Sequence, residues 1–388
     1  MFNGKTVFSQ IMELVAWRDF QNIIDYHGGD VKVRTLKTHQ FFRVMAFAQL
    51  THRRSLRDTV VTLRAVKSKW FHMGITSVSL NNLSNAGMQR DWKIFAEFAR
   101  VLMAEARNLY AEPSKDDKLD AKVYALDSTT FDLCLSVFPW AEFRSTKAAV
   151  KMHTLLDTYT VIPDFIRVST GKTHDVNTLD EITFIKNAFY VMDLAYLDFA
   201  RLYKINEAGA FFIVRAKKNT KLRRLYSRTV DKTTGLRCDQ TVVPAGAVSQ
   251  KKYPAKLRRV KFYDAEKRRR LVFLTNNFSL PADTIAALYR RRWSIEVFFK
   301  WIKQHLCLRP FFGQSENAVR SQIWIAVSTY LLVAIFKKTS GIVRPTAEIL
   351  QILSVTIFEH IPINTLFEEK NTNPLPTTSA GQLFLPGF

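Results

Sequence analysis

The 388-residue chain is poor in the residues that staple small or secreted proteins, with only three cysteines, Cys134, Cys238 and Cys307. They stand apart with no ligand-like spacing, which excludes zinc fingers and a disulfide framework and fits packing residues in a reducing compartment. No apolar run follows a basic start, because Asn3, Lys5, Ser9, Glu13, Arg18 and Asp19 interrupt it, so no secretory signal is expected and the protein is expected in the cytoplasm. The longest apolar stretch, Ile323 to Phe336, falls short of the roughly 18 to 20 residues that span a bilayer and reads as a buried core helix. Internal repeats and low-complexity tracts are missing too. Acidic residues are scarce: 34 Asp and Glu face 57 Lys and Arg, a net charge of +23. Such an excess points to a polyanionic partner, nucleic acid before an anionic membrane surface. What the chain does have is 47% hydrophobic residues, enough for a large core in two or three domains.

Residues 1–107 carry a helical pattern without alternating strands and read as an N-terminal helical DNA-binding domain. Arg53 and Arg54 precede Ser55, an N-cap candidate for a helix bearing Leu56, Val60 and Leu63, where basic side chains can meet phosphate. Ser79 or Asn81 offers a second cap, compatible with a helix-turn-helix or with a plain bundle. A charged linker, Ala111 to Lys122, leads into strand-like texture. Val123 to Leu133, Val150 to Asp157, Phe165 to Ser169, Phe189 to Asp193 and Ala210 to Arg215 read as strands, with helices over Val176 to Lys186 and Asp198 to Glu207. Three strands followed by alternating helix and strand predict an α/β fold, a mixed sheet in the ribonuclease H-like order, over 123–216.

The positive charge is local. Residues 201–270 hold 21 Lys or Arg against 5 Asp or Glu, so 21 − 5 = +16 sits in this stretch. Short apolar pieces alternate there with basic clusters, predicting a β-rich basic insertion over 217–280 that contacts DNA through residues such as Lys217, Lys218, Arg258 and Arg259. Residues 281–368 return to helices and complete the core, and 369–388 form a polar tail expected to lack order.

Two apolar strands each run into an aspartate. Val123 to Leu126 leads to Asp127, and Phe189 to Met192 leads to Asp193. Reactive groups collect at strand ends, where a rigid scaffold meets solvent. Further on, Tyr289, Arg292, Glu296 and Lys303 fall within about 60° of one another on a helix turning about 100° per residue. Leu288, Ile295, Phe299, Ile302 and Leu306 form the adjoining apolar stripe. An isolated Arg292–Glu296 pair at i,i+4 is worth only about 0.3 to 0.5 kcal/mol. Two aspartates and a glutamate together, however, make an oxygen-only set suited to Mg²⁺ or Mn²⁺, and two such ions per active site support in-line displacement at phosphorus. Asp132, Asp175 and Asp198 are nearby acids outside this set, with Asp175 expected to cap the helix starting at Val176.

The segments YALDSTTFDL, YVMDLAYLDF and YRRRWSIEVFFKWIK, in this order, resemble the DDE transposases of bacterial insertion sequences. The match is to the insertion-sequence-four group and its Tyr-x2-Arg-x3-Glu-x6-Lys (YREK) signature, and it covers about Val123 to Lys338. The resemblance implies a ribonuclease H-like core with Asp127, Asp193 and Glu296 as catalytic metal ligands. It further implies that Tyr289, Arg292 and Lys303 contact double-stranded DNA at element ends. Arg290 and Arg291 beside them are further candidates for DNA contact, a homodimer on paired ends is expected, and, with no amphipathic basic helix in the chain, no membrane partner is expected. In some relatives an aromatic of the insertion traps a flipped base, for which Phe262, Tyr263 and Phe273 are the candidates. Rival readings are a ribonuclease H-fold nuclease or resolvase without strand transfer, an inactive transposase-derived repressor, and a basic membrane-surface protein.

Overall fold

The structure, a computed structural model, describes residues 4–111, 121–305 and 310–367. The tail over 369–388, Cys307, Leu306 and most of the linker lie outside the described residues. The N-terminal part is helical as read: α1 (Val7–Met12), α2 (Trp17–Tyr26), α3 (Thr38–Leu50), α4 (Leu56–Ala65), α5 (Trp70–Met73), α6 (Leu80–Gln89) and α7 (Trp92–Leu109). Ser55 and Ser79 cap α4 and α6, accepting from the amides of Asp58 and Asn82 and so satisfying N–H groups that the helix leaves unpaired. The two helices are joined by residues 66–79, which contain a 3-10 turn and α5. That connection is far longer than the three- or four-residue turn of a helix-turn-helix.

The sheet has ten strands: β1 (Val123–Leu133), β2 (Glu142–Arg144), β3 (Lys147–Asp157), β4 (Pro163–Thr170), β5 (Phe189–Met192), β6 (Phe211–Arg215), β7 (Leu222–Arg228), β8 (Leu236–Pro244), β9 (Leu257–Asp264) and β10 (Arg269–Thr275). Its order is β2-β3-β1-β5-β6-β10-β9-β8-β7, with β4 also pairing β3. β1 is antiparallel to β3 and parallel to β5, and β5 is parallel to β6. The order β4-β3-β1-β5-β6 is the ribonuclease H-like core. The helix expected over Val176 to Lys186 is instead a 3-10 segment, Asp175–Glu181, followed by loop. α8 (Phe199–Glu207) forms as read, capped by Asp198.

The basic insertion is not a separate body. β10 pairs antiparallel with β6, and β9, β8 and β7 continue outward, so the insertion extends the core sheet, with α9 (Ala247–Lys252) between β8 and β9. α10 (Ala282–Arg290) and α11 (Trp293–His305) follow, then α12 (Glu316–Thr339) and α13 (Thr346–Thr356). α8 and Tyr253, just past α9, share the apolar cluster of one sheet face; α10 packs with β5, β6 and β10 on the other.

α12 is the central core helix. It is long and apolar enough to cross a membrane by length and composition, but 94% of its apolar window is buried inside the fold. Around it a single continuous cluster includes Phe8, Phe42, Phe47 and Phe98 from the N-terminal helices, Ile295 and Phe298 from α11, and Ala125 and Phe131 from β1. The first 107 residues therefore do not close a core of their own. Backbone contacts repeat the point: the Val7 and Phe8 amides donate to the carbonyls of Glu359 and Ile357.

Candidate active site

The pairing of β1 with β5 ends at Leu126 opposite Met192. Asp127 and Asp193 are therefore the next residues on two neighbouring parallel strands, at the point where the sheet forks. Strands lie about 4.8 Å apart, so the two carboxylates leave the sheet side by side. Burial pushes Asp127 up to about 6, repulsion from Asp193 and Glu296 adds to it, and the Ser128 amide and Arg292 oppose it. One oxygen of Asp193 is buried without a hydrogen-bond partner, with an Arg215 nitrogen 4.0 Å away.

The four signature residues do not share one helix. α10 ends at Arg290 and α11 begins at Trp293. Across the joint the hydrogen bonds tighten to i,i+3: Arg292 donates to the Tyr289 carbonyl and Ile295 to that of Arg292. This 3-10 step breaks the expected line without proline or glycine. It turns Arg292 inward, where one nitrogen donates to Asp127 Oδ2 at 2.9 Å and another to Glu296. Burial pulls the guanidinium's pKa down, but Tyr289, Asp127 and Glu296 more than offset it. Tyr289 is only 6% exposed and packs on Phe273, ring centroids 4.4 Å apart, with the Arg292 guanidinium 5.7 Å from its ring. It supports Arg292 from below and is not open to a phosphate. Lys303, two turns on and exposed, has its ammonium 5.5 Å from the Phe131 ring, so α11 runs along β1 on the face that carries Asp127.

Among the described residues no three His, Cys, Asp or Glu side chains are close enough to hold an ion together; Arg292 lies between two of the acids. The donor chemistry nevertheless fits a hard divalent cation. The set is oxygen-only, one Asp193 oxygen has no hydrogen-bond partner, and Asp127 is unfavourable as an isolated anion.

The remaining candidates divide. Arg258 is a correction: it is 3% exposed, forms a two-pronged pair with Asp239 at 2.9 Å through both nitrogens, and donates to the Leu280 carbonyl. A guanidinium so enclosed has no face left for DNA. Arg53 folds back onto the Thr51 carbonyl, Thr62 and Asp58, and Arg259 onto Gln240. Arg54, Lys217, Lys218 and Arg290 are exposed, and the Arg291 guanidinium lies 4.2 Å over the Tyr159 ring. Asp175 caps nothing; it accepts from Ser128 and Lys151. Phe273 is buried, and Phe262 and Tyr263 are half-buried.

The aromatic that sequence reasoning missed is Trp293, immediately after Arg292. It is 54% exposed, with the Lys267 ammonium from the β9–β10 turn 4.5 Å from its ring. Its position inside a presumed continuous helix hid it, since a tryptophan there reads as core.

A ribonuclease H-like sheet with aspartates at the fork of its central strands and a glutamate on a following helix defines a class of nucleic-acid phosphoryl-transfer enzymes. Residues 118–332 match the transposase DDE domain family, and residues 3–76 match a domain of unknown function. A transposase of Sinorhizobium fredii is 30% identical over 297 residues, covering 75% of this chain and 81% of the relative. A transposase for insertion sequence element IS5377 of Geobacillus stearothermophilus is 32% identical over 207 residues, 53% of this chain and 54% of the relative. One for element IS4SA of Synechocystis is 27% identical over 271 residues, 66% and 71%. A solved piggyBac transposase synaptic complex with hairpin DNA aligns over 94% of this chain and 80% of its own at 9% identity, with a TM-score of 0.47. The chain belongs to the DDE transposase family. It is a DNA-cleaving and strand-transferring enzyme with DNA as partner, of a family that uses divalent metal ions.

Proposed function

We propose that this transposase binds the terminal inverted repeats of an insertion sequence as a homodimer on paired ends, with Asp127, Asp193 and Glu296 holding two Mg²⁺ or Mn²⁺ ions. The reading rests on the fork of β1 and β5, where two carboxylates leave the sheet in adjacent register and α11 brings a third acid with Arg292 between. Bound divalent ions supply charge neutralisation for in-line displacement at phosphorus. In the first displacement a water oxygen bonds to phosphorus and the P–O3′ bond at the element boundary breaks, leaving a 3′-OH on the element. In the second, that hydroxyl attacks a target phosphodiester and releases the target's own 3′-OH.

Within this scheme Arg292 neutralises Asp127 and Glu296 until DNA arrives, then turns its planar fork to a phosphate, a geometry suited to bidentate contact. Tyr289 orients Arg292 by packing beneath it, and Lys303 adds a point charge further along β1. Arg290, Arg291, Lys217 and Lys218 extend the cationic path onto the insertion, and Arg54 extends it onto the N-terminal helices. Trp293, beside Arg292 and more open than Phe262, Tyr263 or Phe273, is the aromatic we assign to stacking on an unpaired base. The protein acts in the cytoplasm, at the nucleoid when on DNA.

The deciding experiment is cleavage of a duplex carrying an element end, beside a gel shift with the same protein. Asp127→Asn, Asp193→Asn and Glu296→Gln are each expected to abolish cutting while binding persists or strengthens, because each removes negative charge facing phosphate. A Glu296→Gln protein cutting near the normal rate, or cutting that survives chelator, would overturn the assignment.

A further inference from the structure

β1 is held on both sides only as far as Leu126. Beyond it the β3 pairing continues to Leu133 opposite Ala148, while the β5 side is open. The residue that carries the first carboxylate thus stands at the start of a one-sided strand, beside two acids that repel it.

On the opposite face of the same strand a fourth acid gathers the neighbouring side chains. Ser128 Oγ donates to Asp175 Oδ1 at 2.9 Å, and Lys151 Nζ donates to the same oxygen at 3.2 Å and to the Thr173 carbonyl at 3.1 Å. His153 Nδ1 lies 3.7 Å from that oxygen, and its Nε2 pairs with Ser169 Oγ at 2.9 Å. Ser128 lies opposite His153 on β1 and β3, and Lys151 lies opposite Ser169 on β3 and β4, so the network spans three strands in two adjacent rows. Burial pulls His153 down to about 4, leaving Lys151 to balance the Asp175 charge. Behind Asp193, Tyr196 is buried; burial, then the charges of Asp127 and Asp175, raise its pKa and keep it protonated.

We propose that Asp175 is a positioning residue: through Ser128 and Lys151 it fixes the open end of β1 to β3 and sets where Asp127 stands relative to Asp193. The inference rests on the metal-binding role given above to those aspartates. Asp175 is not a fourth ligand, because it lies on the far face of β1 and its contacting oxygen is engaged by Ser128 and Lys151. Groups that orient metal ligands typically change affinity 10- to 100-fold when removed.

The test uses the full chain. Mn²⁺ binding to protein without DNA is followed by electron paramagnetic resonance, beside the Mg²⁺ dependence of end cleavage, a gel shift and a thermal melt. Asp175→Ala is expected to weaken Mn²⁺ binding and raise the Mg²⁺ requirement about tenfold, with DNA binding and melting nearly unchanged. Asp175→Asn keeps an acceptor for Ser128 and recovers most of the loss. Ser128→Ala reproduces the Asp175→Ala defect, and the double variant is no worse than either single one, as for two parts of one device. Wild-type Mn²⁺ affinity in Asp175→Ala, or Asp175→Asn no better than Asp175→Ala, would overturn the proposal. So would parallel loss of metal binding, DNA binding and cooperative melting, which marks a purely structural residue. Mn²⁺ binding that Asp127→Asn abolishes and Asp175→Ala weakens supports the positioning role even if element ends are not cut, so the two readings fail separately.

Discussion

Arg292 reaches across 165 residues of sequence to place a guanidinium nitrogen 2.9 Å from Asp127 Oδ2. The same side chain holds Glu296 one helical turn later. A pair that sequence alone would value at a few tenths of a kcal/mol is therefore half of a three-residue bridge. One cation neutralises two acids from different halves of the core, and removing it exposes both to each other.

The electrostatic strain on Asp127 has a sign that can be measured. Its folded pKa, about 6, lies above the ordinary 3.8, so the folded protein holds an extra proton between those values. The stabilising contribution is fully present below the lower value and is lost as pH rises through about 6. At neutral pH the ionised carboxylate then costs up to about 3 kcal/mol. In chelator, Asp127→Asn should melt above the wild type at pH 7.5, with the gap closing by about pH 4. Equal melting at pH 7.5 would show that Arg292 already compensates the charge in full.

Arg258 and the pair Lys217 and Lys218 should separate stability from DNA affinity. Arg258→Met leaves the buried Asp239 carboxylate with only the 3.5 Å contact of Arg228 and should destabilise the fold by up to roughly 3 to 5 kcal/mol. Lys217→Ala and Lys218→Ala should leave melting unchanged, and each should reduce the slope of log affinity against log salt by about one. If the insertion neutralises six to ten phosphates, the parent slope is roughly −5 to −9. Salt titrations by fluorescence anisotropy measure it, and a parent slope near −2 would remove the insertion from the DNA path.

Deletion of residues 1–107 should not yield a folded catalytic core. The cut would strip Phe8, Phe42, Phe47 and Phe98 from the cluster built around α12. The truncated chain should be insoluble or melt without cooperativity, as followed by circular dichroism, whereas Arg54→Ala should melt normally and weaken binding to element ends and to random duplex alike. A well-folded truncation would show that α12 closes its core without the N-terminal helices.

Trp293→Ala should slow end cleavage with little change in melting, because the side chain is half exposed. Stacking on a base is worth about 1 to 3 kcal/mol, and Trp293→Phe should keep most of it. Cleavage of ends carrying 2-aminopurine at successive positions, read by fluorescence, reports whether a base unstacks and whether that depends on Trp293.

The strands that carry the aspartates were legible because four consecutive apolar residues followed by a carboxylate have one comfortable placement: a central strand ending at the surface. The signature spacing likewise brought Glu296, in the first turn of α11, within reach of Arg292 just before it. The 3-10 step at Arg292 was not legible, since no proline, glycine or cap marks it and the distant partner Asp127 draws the side chain inward. Arg258 was misread for a related reason. Within a run of basic residues nothing local singles out the one whose alternating position on β9 faces the sheet's interior and meets Asp239.

Local pattern alone determined most element types, the expected helix over Val176 to Lys186 excepted, along with the charge and the order of the acids, because these depend on propensity, period and composition over a few residues. Tertiary structure decided which cations are free for DNA, that the insertion continues the core sheet, that the N-terminal helices share the core of α12, and that Asp175 serves Ser128 rather than a helix end. Each depends on which side chains meet across tens to hundreds of residues, where burial and pairing outweigh local preference.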